Sequence, residues 1–131
     1  MKLTIVVFAA PGSQAAYSAY RFTLAALTAG HAVYRVFFYQ EGVHVANGMS
    51  ALPQDEFDLP KAWQNLIESH SLDAVVCVAS ALKRGIMNAE EARRYEKTAA
   101  TLAPAYTLSG LGQWVDACLE SDRVVSFGAK G

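Results

Sequence analysis

At 131 residues the chain is the size of one ordinary domain. Its formal net charge of −1, from eleven Lys and Arg against twelve Asp and Glu with no long basic run, argues against gripping nucleic acid through a basic face. Hydrophobic residues make up 53% of the sequence, which is on the apolar side for an average soluble domain and favours an oligomer or a broad protein interface. Its two cysteines, Cys77 and Cys118, fit neither a disulfide framework nor a zinc site, and suit reduced thiols in a cytoplasmic compartment.

The opening MKLTIVVFAAPG has one lysine and an apolar run too short for a signal peptide, so Leu3 to Phe8 read as an interior parallel strand closed by Pro11 and Gly12. No stretch approaches the ~20 apolar residues of a membrane span. Helical spacing then predicts a helix over Ala15 to Ala29, with Gly30 in the C′ position. A second strand, Ala32 to Tyr39, leads into QEGVHVANGMSALPQDEFD, a long segment broken by Gly42, Gly48 and Pro53 that reads as a lid or partner-binding arm over 40–57.

Asp58 or Asp55 caps a helix over Leu59 to Glu68, and Asp73 to Val78 form a third strand. Asn88 caps the next helix, in which Glu90 and Glu91 precede Arg93, Arg94 and Lys97 as the helix dipole prefers. Tyr106 to Leu108 supply a short fourth strand. SGLG at 109–112 turns into a helix through Leu119, with Ser109 as its cap, and Asp122 to Phe127 form the fifth strand.

This alternation predicts a single three-layer α/β domain over 1–131, with a mostly parallel, flavodoxin-like sheet of about five strands and helices on both faces. Reaction sites in such sheets lie beyond the carboxyl ends of the strands, which is where Cys77 falls on the third. The residues alone leave two readings of Cys77. It is a small core hydrophobe, or it is a thiolate favoured by a nearby helix N-terminus and by Lys83 or Arg84.

Cys118 shares an apolar helical stripe with Leu111, Trp114, Val115 and Leu119, so burial without chemistry is expected of it. His31, His44 and His70 show no spacing for a metal or a cysteine–histidine dyad; only His44, in the long segment, suits an auxiliary base. AAPGSQ stands where flavodoxin-like domains hold phosphate, but one Ser and one Gly make a tight turn the simpler reading. Trp63 and Trp114 read as core residues or interface anchors, and Lys83 and Arg84 as a solvated turn unless the thiol is active.

FFYQEGV (37–43), DEFDL (55–59), CVASALKRG (77–85), TLSGLG (107–112) and DRVVSF (122–127) together resemble the TusD and DsrE sulfur-carrier subunits, in order over almost the whole chain. The resemblance implies a cytoplasmic sulfurtransferase built into a heterohexamer with TusB-like and TusC-like subunits, two copies of each chain. It implies Cys77 as the persulfide carrier, taking sulfur from a TusA-like donor and passing it to a TusE-like acceptor for 2-thiouridine at the tRNA wobble position. DsrE-type sulfur oxidation is the alternative. No metal, nucleotide or resolving cysteine is needed for a relay by thiol exchange, and no direct contact with tRNA or membrane is implied. Two stretches depart from the TusD pattern, AAPGSQ and the NGM after the second strand, and they bear on partner specificity. From other classes, an architectural subunit and a flavin- or nucleotide-binding module remain as rival readings.

Overall fold

The structure is a computed structural model that describes residues 1–128; the last three residues of the expected 1–131 span lie outside it. Five strands, β1 (Lys2–Val7), β2 (Ala32–Phe38), β3 (Ala74–Cys77), β4 (Thr107–Ser109) and β5 (Arg123–Phe127), form one sheet in the order β4-β3-β2-β1-β5, with every pairing parallel. The helices are α1 (Gln14–Thr28), α2 (Leu59–His70), α3 (Val78–Lys83), α4 (Ala89–Arg94) and α5 (Gly112–Glu120), and a 3-10 helix spans Gln40–Ala46. This is the expected α/β architecture.

Local chemistry sets the boundaries. The Ser13 side chain accepts the Ala16 N–H at the start of α1, and Gly30 leaves the helix at φ +90°, the left-handed region that glycine enters without a Cβ penalty. Of the two candidate caps for α2, Asp58 is the one used, accepting from the Lys61 N–H, and Asn88 caps α4 through the Glu91 N–H. The fourth strand starts one residue later than expected, and α4 ends at Arg94, short of Lys97.

Each sheet face is largely apolar, as a strand buried on both sides requires, with Thr4 and Arg35 the buried polar residues of the sheet. One face presents Ile5, Val7, Val36, Phe38, Ala74 and Val76 to α1 and α2, where Trp63 is 1% exposed and meets Phe38 edge-on at 5.4 Å. The other presents Val6, Phe37, Val75 and Cys77, with Phe8, Tyr39 and Trp114 against them. Helix α5 covers this second face and is fastened there by Arg35. The Arg35 guanidinium donates to Asp73 at 2.8 Å, to Asp116 at 3.0 Å and to the Gln113 carbonyl at 2.8 Å.

Two expectations change. The 40–57 segment is not an arm throughout: Gly42, Val43, Val45 and Ala46 are buried, and only the stretch from about Gly48 lies mostly outside. Gly42 is required there, because a Cβ would meet the Val7 carbonyl of β1. Cys118 is exposed, as are Leu111, Val115 and Leu119, the last at 79%. The stripe was correctly periodic, but α5 turns Ala117 and the Asp116 carboxylate toward the sheet. Leu111, Val115, Cys118 and Leu119 therefore face outward while Trp114 alone of the stripe packs inward, because Arg35 and the Phe37–Trp114 stack decide the helix's rotation.

Candidate functional site

Strand β3 is four residues long, all buried, and runs directly into α3 with Cys77 as the residue before the first helical turn. Its sulfur-bearing side chain is on the α5 face, in one cluster with Val6, Phe37 and Val75, and the residue is 2% exposed. Around this end of the sheet stands an aromatic layer. Trp114 stacks on Phe37 at 5.8 Å and 26°, and it meets Phe8 and Tyr39, each at 5.8 Å.

The turn after Cys77 is tied to the segment after β2. Buried Ser80 accepts the Gln40 N–H at 3.1 Å, and Gln40 itself holds φ +52°, an uncommon conformation for a non-glycine residue that this contact helps to fix. Arg84 donates to the Ser80 carbonyl at 3.0 Å and forks onto Glu41 at 2.8 and 2.6 Å. Hydrogen bonds from Arg84 hold the Glu41 carboxyl below its ordinary range, and His44 lies 3.3 Å from the other Glu41 oxygen.

This corrects the expectation of positive charge beside the thiol. Lys83 is exposed in the last turn of α3, about 9 Å of helix rise from Cys77, and the Arg84 guanidinium is engaged by Glu41. The sequence places these cations only a few residues after Cys77, with Lys83 and Arg84 expected in a turn; the six-residue α3 carries them away. What the sheet brings to Cys77 instead is Ser109, its in-register partner on β4. Ser109 is not a helix cap, since α5 starts after Leu111 with no side-chain cap bond.

The other candidates are dispersed. His31 sits near the N-terminus, 3.4 Å from the Met1 amino group; His70 ends α2; and His44 pairs with Glu41. Among the described residues no group of His, Cys, Asp or Glu is placed to hold a metal ion. In the AAPGSQ loop, the Ser13 hydroxyl is occupied in donating to the Ala10 carbonyl and capping α1. A cleft of about 520 Å³ lies between this loop and the 47–57 stretch, lined by Tyr17, His44 and Phe57 among others, and Cys77 does not line it. No helix among the described residues is long and apolar enough to cross a membrane.

Residues 1–127 match the DsrE/DsrF-like family. The chain belongs to that family. It is 53% identical over 128 residues to a sulfurtransferase TusD homolog of Pseudomonas aeruginosa, covering 98% of each chain. It is 47% identical over 123 residues to the sulfurtransferase TusD of Yersinia pestis, covering 94% of each, and 46% identical over 115 residues to a putative sulfurtransferase DsrE of Allochromatium vinosum, covering 88% of each. The crystal structure of the ychN protein from E. coli superposes with a TM-score of 0.76 over 97% of this chain and 99% of that one; at 17% identity this bears on the fold alone. The family expected from the separated motifs is thus the family found, and sulfurtransferase names recur among these relatives.

Proposed function

We propose that this chain is a sulfurtransferase that carries sulfur as a persulfide on Cys77. The observation that supports it best is positional. In a chain whose TusD and DsrE relatives match it nearly end to end, Cys77 stands at the carboxyl end of β3, where the strand breaks into α3, on the side of the sheet that the aromatic layer guards. Cys118, by contrast, lies in the open on the outer side of α5.

The reaction is thiol exchange. The Cys77 thiolate attacks the outer sulfur of a donor persulfide, the donor's S–S bond breaks, and the donor thiolate leaves with the electron pair. An acceptor thiolate then attacks the outer sulfur of the Cys77 persulfide and expels the Cys77 thiolate. No oxidant or reductant enters, and rates follow access, thiolate fraction and the leaving thiol.

The donor in this reading is TusA-like and the acceptor TusE-like, with the sulfur destined for 2-thiouridine in tRNA. The subunit works in the cytoplasm beside TusB-like and TusC-like chains in a heterohexamer. The outward apolar residues Leu111, Val115 and Leu119 are what such an assembly would cover. A partner docking beside α5 also answers how a cysteine that is 2% exposed is reached.

The test is complementation of a strain lacking its own TusD, scored by mass spectrometry of tRNA nucleosides. Wild type should restore 2-thiouridine, Cys118→Ser should do so too, and Cys77→Ser should not. If wild type restores none but supports sulfur oxidation in a strain lacking its DsrE, the chain belongs to that pathway instead, a reading favoured by the Allochromatium relative.

A further inference from the structure

We propose that the Ser109 hydroxyl is the hydrogen-bond donor that holds the anionic sulfur of Cys77 during transfer, an inference that rests on Cys77 being the carrier. Cys77 and Ser109 are register partners in parallel strands. Neighbouring strands lie about 4.8 Å apart, and in-register residues project from the same face. The faces agree: Val75 and Cys77 belong to the α5-side cluster, whereas Val76 and its partner Leu108 belong to the opposite one.

Three further observations single this hydroxyl out. Of the serines that follow β1 and β3, Ser13 is engaged in capping α1 and Ser80 in accepting from Gln40, while Ser109 makes no side-chain hydrogen bond among the described residues, to Cys77 included, so its hydroxyl is free to turn to the sulfur when charge develops there. Ser109 is half-buried beside Cys77 in the register, so it is partly shielded from water yet reachable from outside. Gly110 and Gly112, which follow it, have open space where a Cβ would stand and no left-handed φ, so the backbone does not demand glycine there. Their small size keeps the approach to Ser109 and Cys77 clear for a partner.

The chemistry needs such a donor. Negative charge sits on the Cys77 sulfur when it attacks the donor persulfide and returns to it when the acceptor removes the outer sulfur. The nearest cluster members, Val6, Phe37 and Val75, are apolar. A hydroxyl hydrogen directed at that sulfur stabilises both anionic states without taking part in bond exchange.

In a Cys118→Ser background, iodoacetamide alkylation of Cys77 should be followed by peptide mass spectrometry from neutral to alkaline pH. Sulfur loading from glutathione persulfide should be measured beside it. Ser109→Ala should slow both about tenfold at neutral pH, the worth of a hydrogen bond to a charged group at its lower end, and the alkylation gap should close as the pH rises and the thiol ionises fully. Ser109→Thr, which keeps the hydroxyl, should recover most of the rate.

Equal alkylation and loading in Ser109→Ala and wild type, or equal slowing by Ala and Thr, overturns the proposal. Failure of the wild type to gain sulfur defeats the carrier reading, while the alkylation profile still decides the role of Ser109.

Discussion

Replacing Trp114 by alanine should make Cys77 easier to reach. The sulfur lies in a cluster that is closed on the α5 side by Phe8, Tyr39 and Trp114, and the Trp114 ring stands 5.8 Å from the centroids of Phe8, Phe37 and Tyr39 alike. Truncating a fully buried Trp costs ~3–5 kcal/mol, so the half-buried Trp114 is worth about 2 kcal/mol. If that sum stabilises the closed form against local opening, the variant opens roughly thirtyfold more often. Iodoacetamide alkylation of Cys77, measured without denaturant in a Cys118→Ser background, should accelerate by about that factor.

Trp63→Ala is the control. Trp63 is 1% exposed on the opposite face, so the variant should lose about 3–5 kcal/mol of global stability while leaving native-state alkylation of Cys77 nearly unchanged. An unchanged rate in Trp114→Ala, or the same acceleration in Trp63→Ala, would refute the reasoning, because access would then be open already or would come only from unfolding.

Further outcomes follow from other contacts. Gly42→Ala drives a Cβ onto the backbone carbonyl of Val7, which cannot yield as a side-chain tip would; urea denaturation should show a loss of at least about 2 kcal/mol, against about 0.5 kcal/mol or less for Gly110→Ala. Hydrogen bonds from Tyr34 and Arg35 hold the Asp116 carboxyl below its ordinary range. Its contribution to stability is therefore complete above the unfolded value near ~4 and is lost as pH falls through the lower folded one. Asp116→Asn should flatten the acid limb of the urea midpoint plotted against pH, and an unaltered limb would mean that the pair with Arg35 is fully screened.

Much of the architecture was legible because its signals are local. The β-branched runs, Gly30, Asp58 and Asn88 each name a boundary through backbone chemistry that operates within a few residues. The position of Cys77 followed from the same logic, since strand–helix alternation fixes which end of a parallel sheet collects reactive groups. The rest depended on contacts across the sequence. Nothing in TLSGLG reveals that Ser109 will lie in register with Cys77, because register is set by how β4 docks on β3. Helix α3 is too short to show a period, so its removal of Lys83 from the thiol was hidden. The stripe on α5 was visible, yet periodicity does not say which side of a helix meets its own sheet; Arg35, 35 to 40 residues from Asp73 and about 80 from Asp116, decides that.

The central claim is tested most directly by intact-protein mass spectrometry after incubating the purified chain with a persulfide-loaded TusA-type donor. Wild type and Cys118→Ser should each gain one sulfur, about 32 Da, lost again on reduction, while Cys77→Ser gains none. No gain in wild type even with TusB-like and TusC-like partners present, or an undiminished gain in Cys77→Ser, would contradict the account.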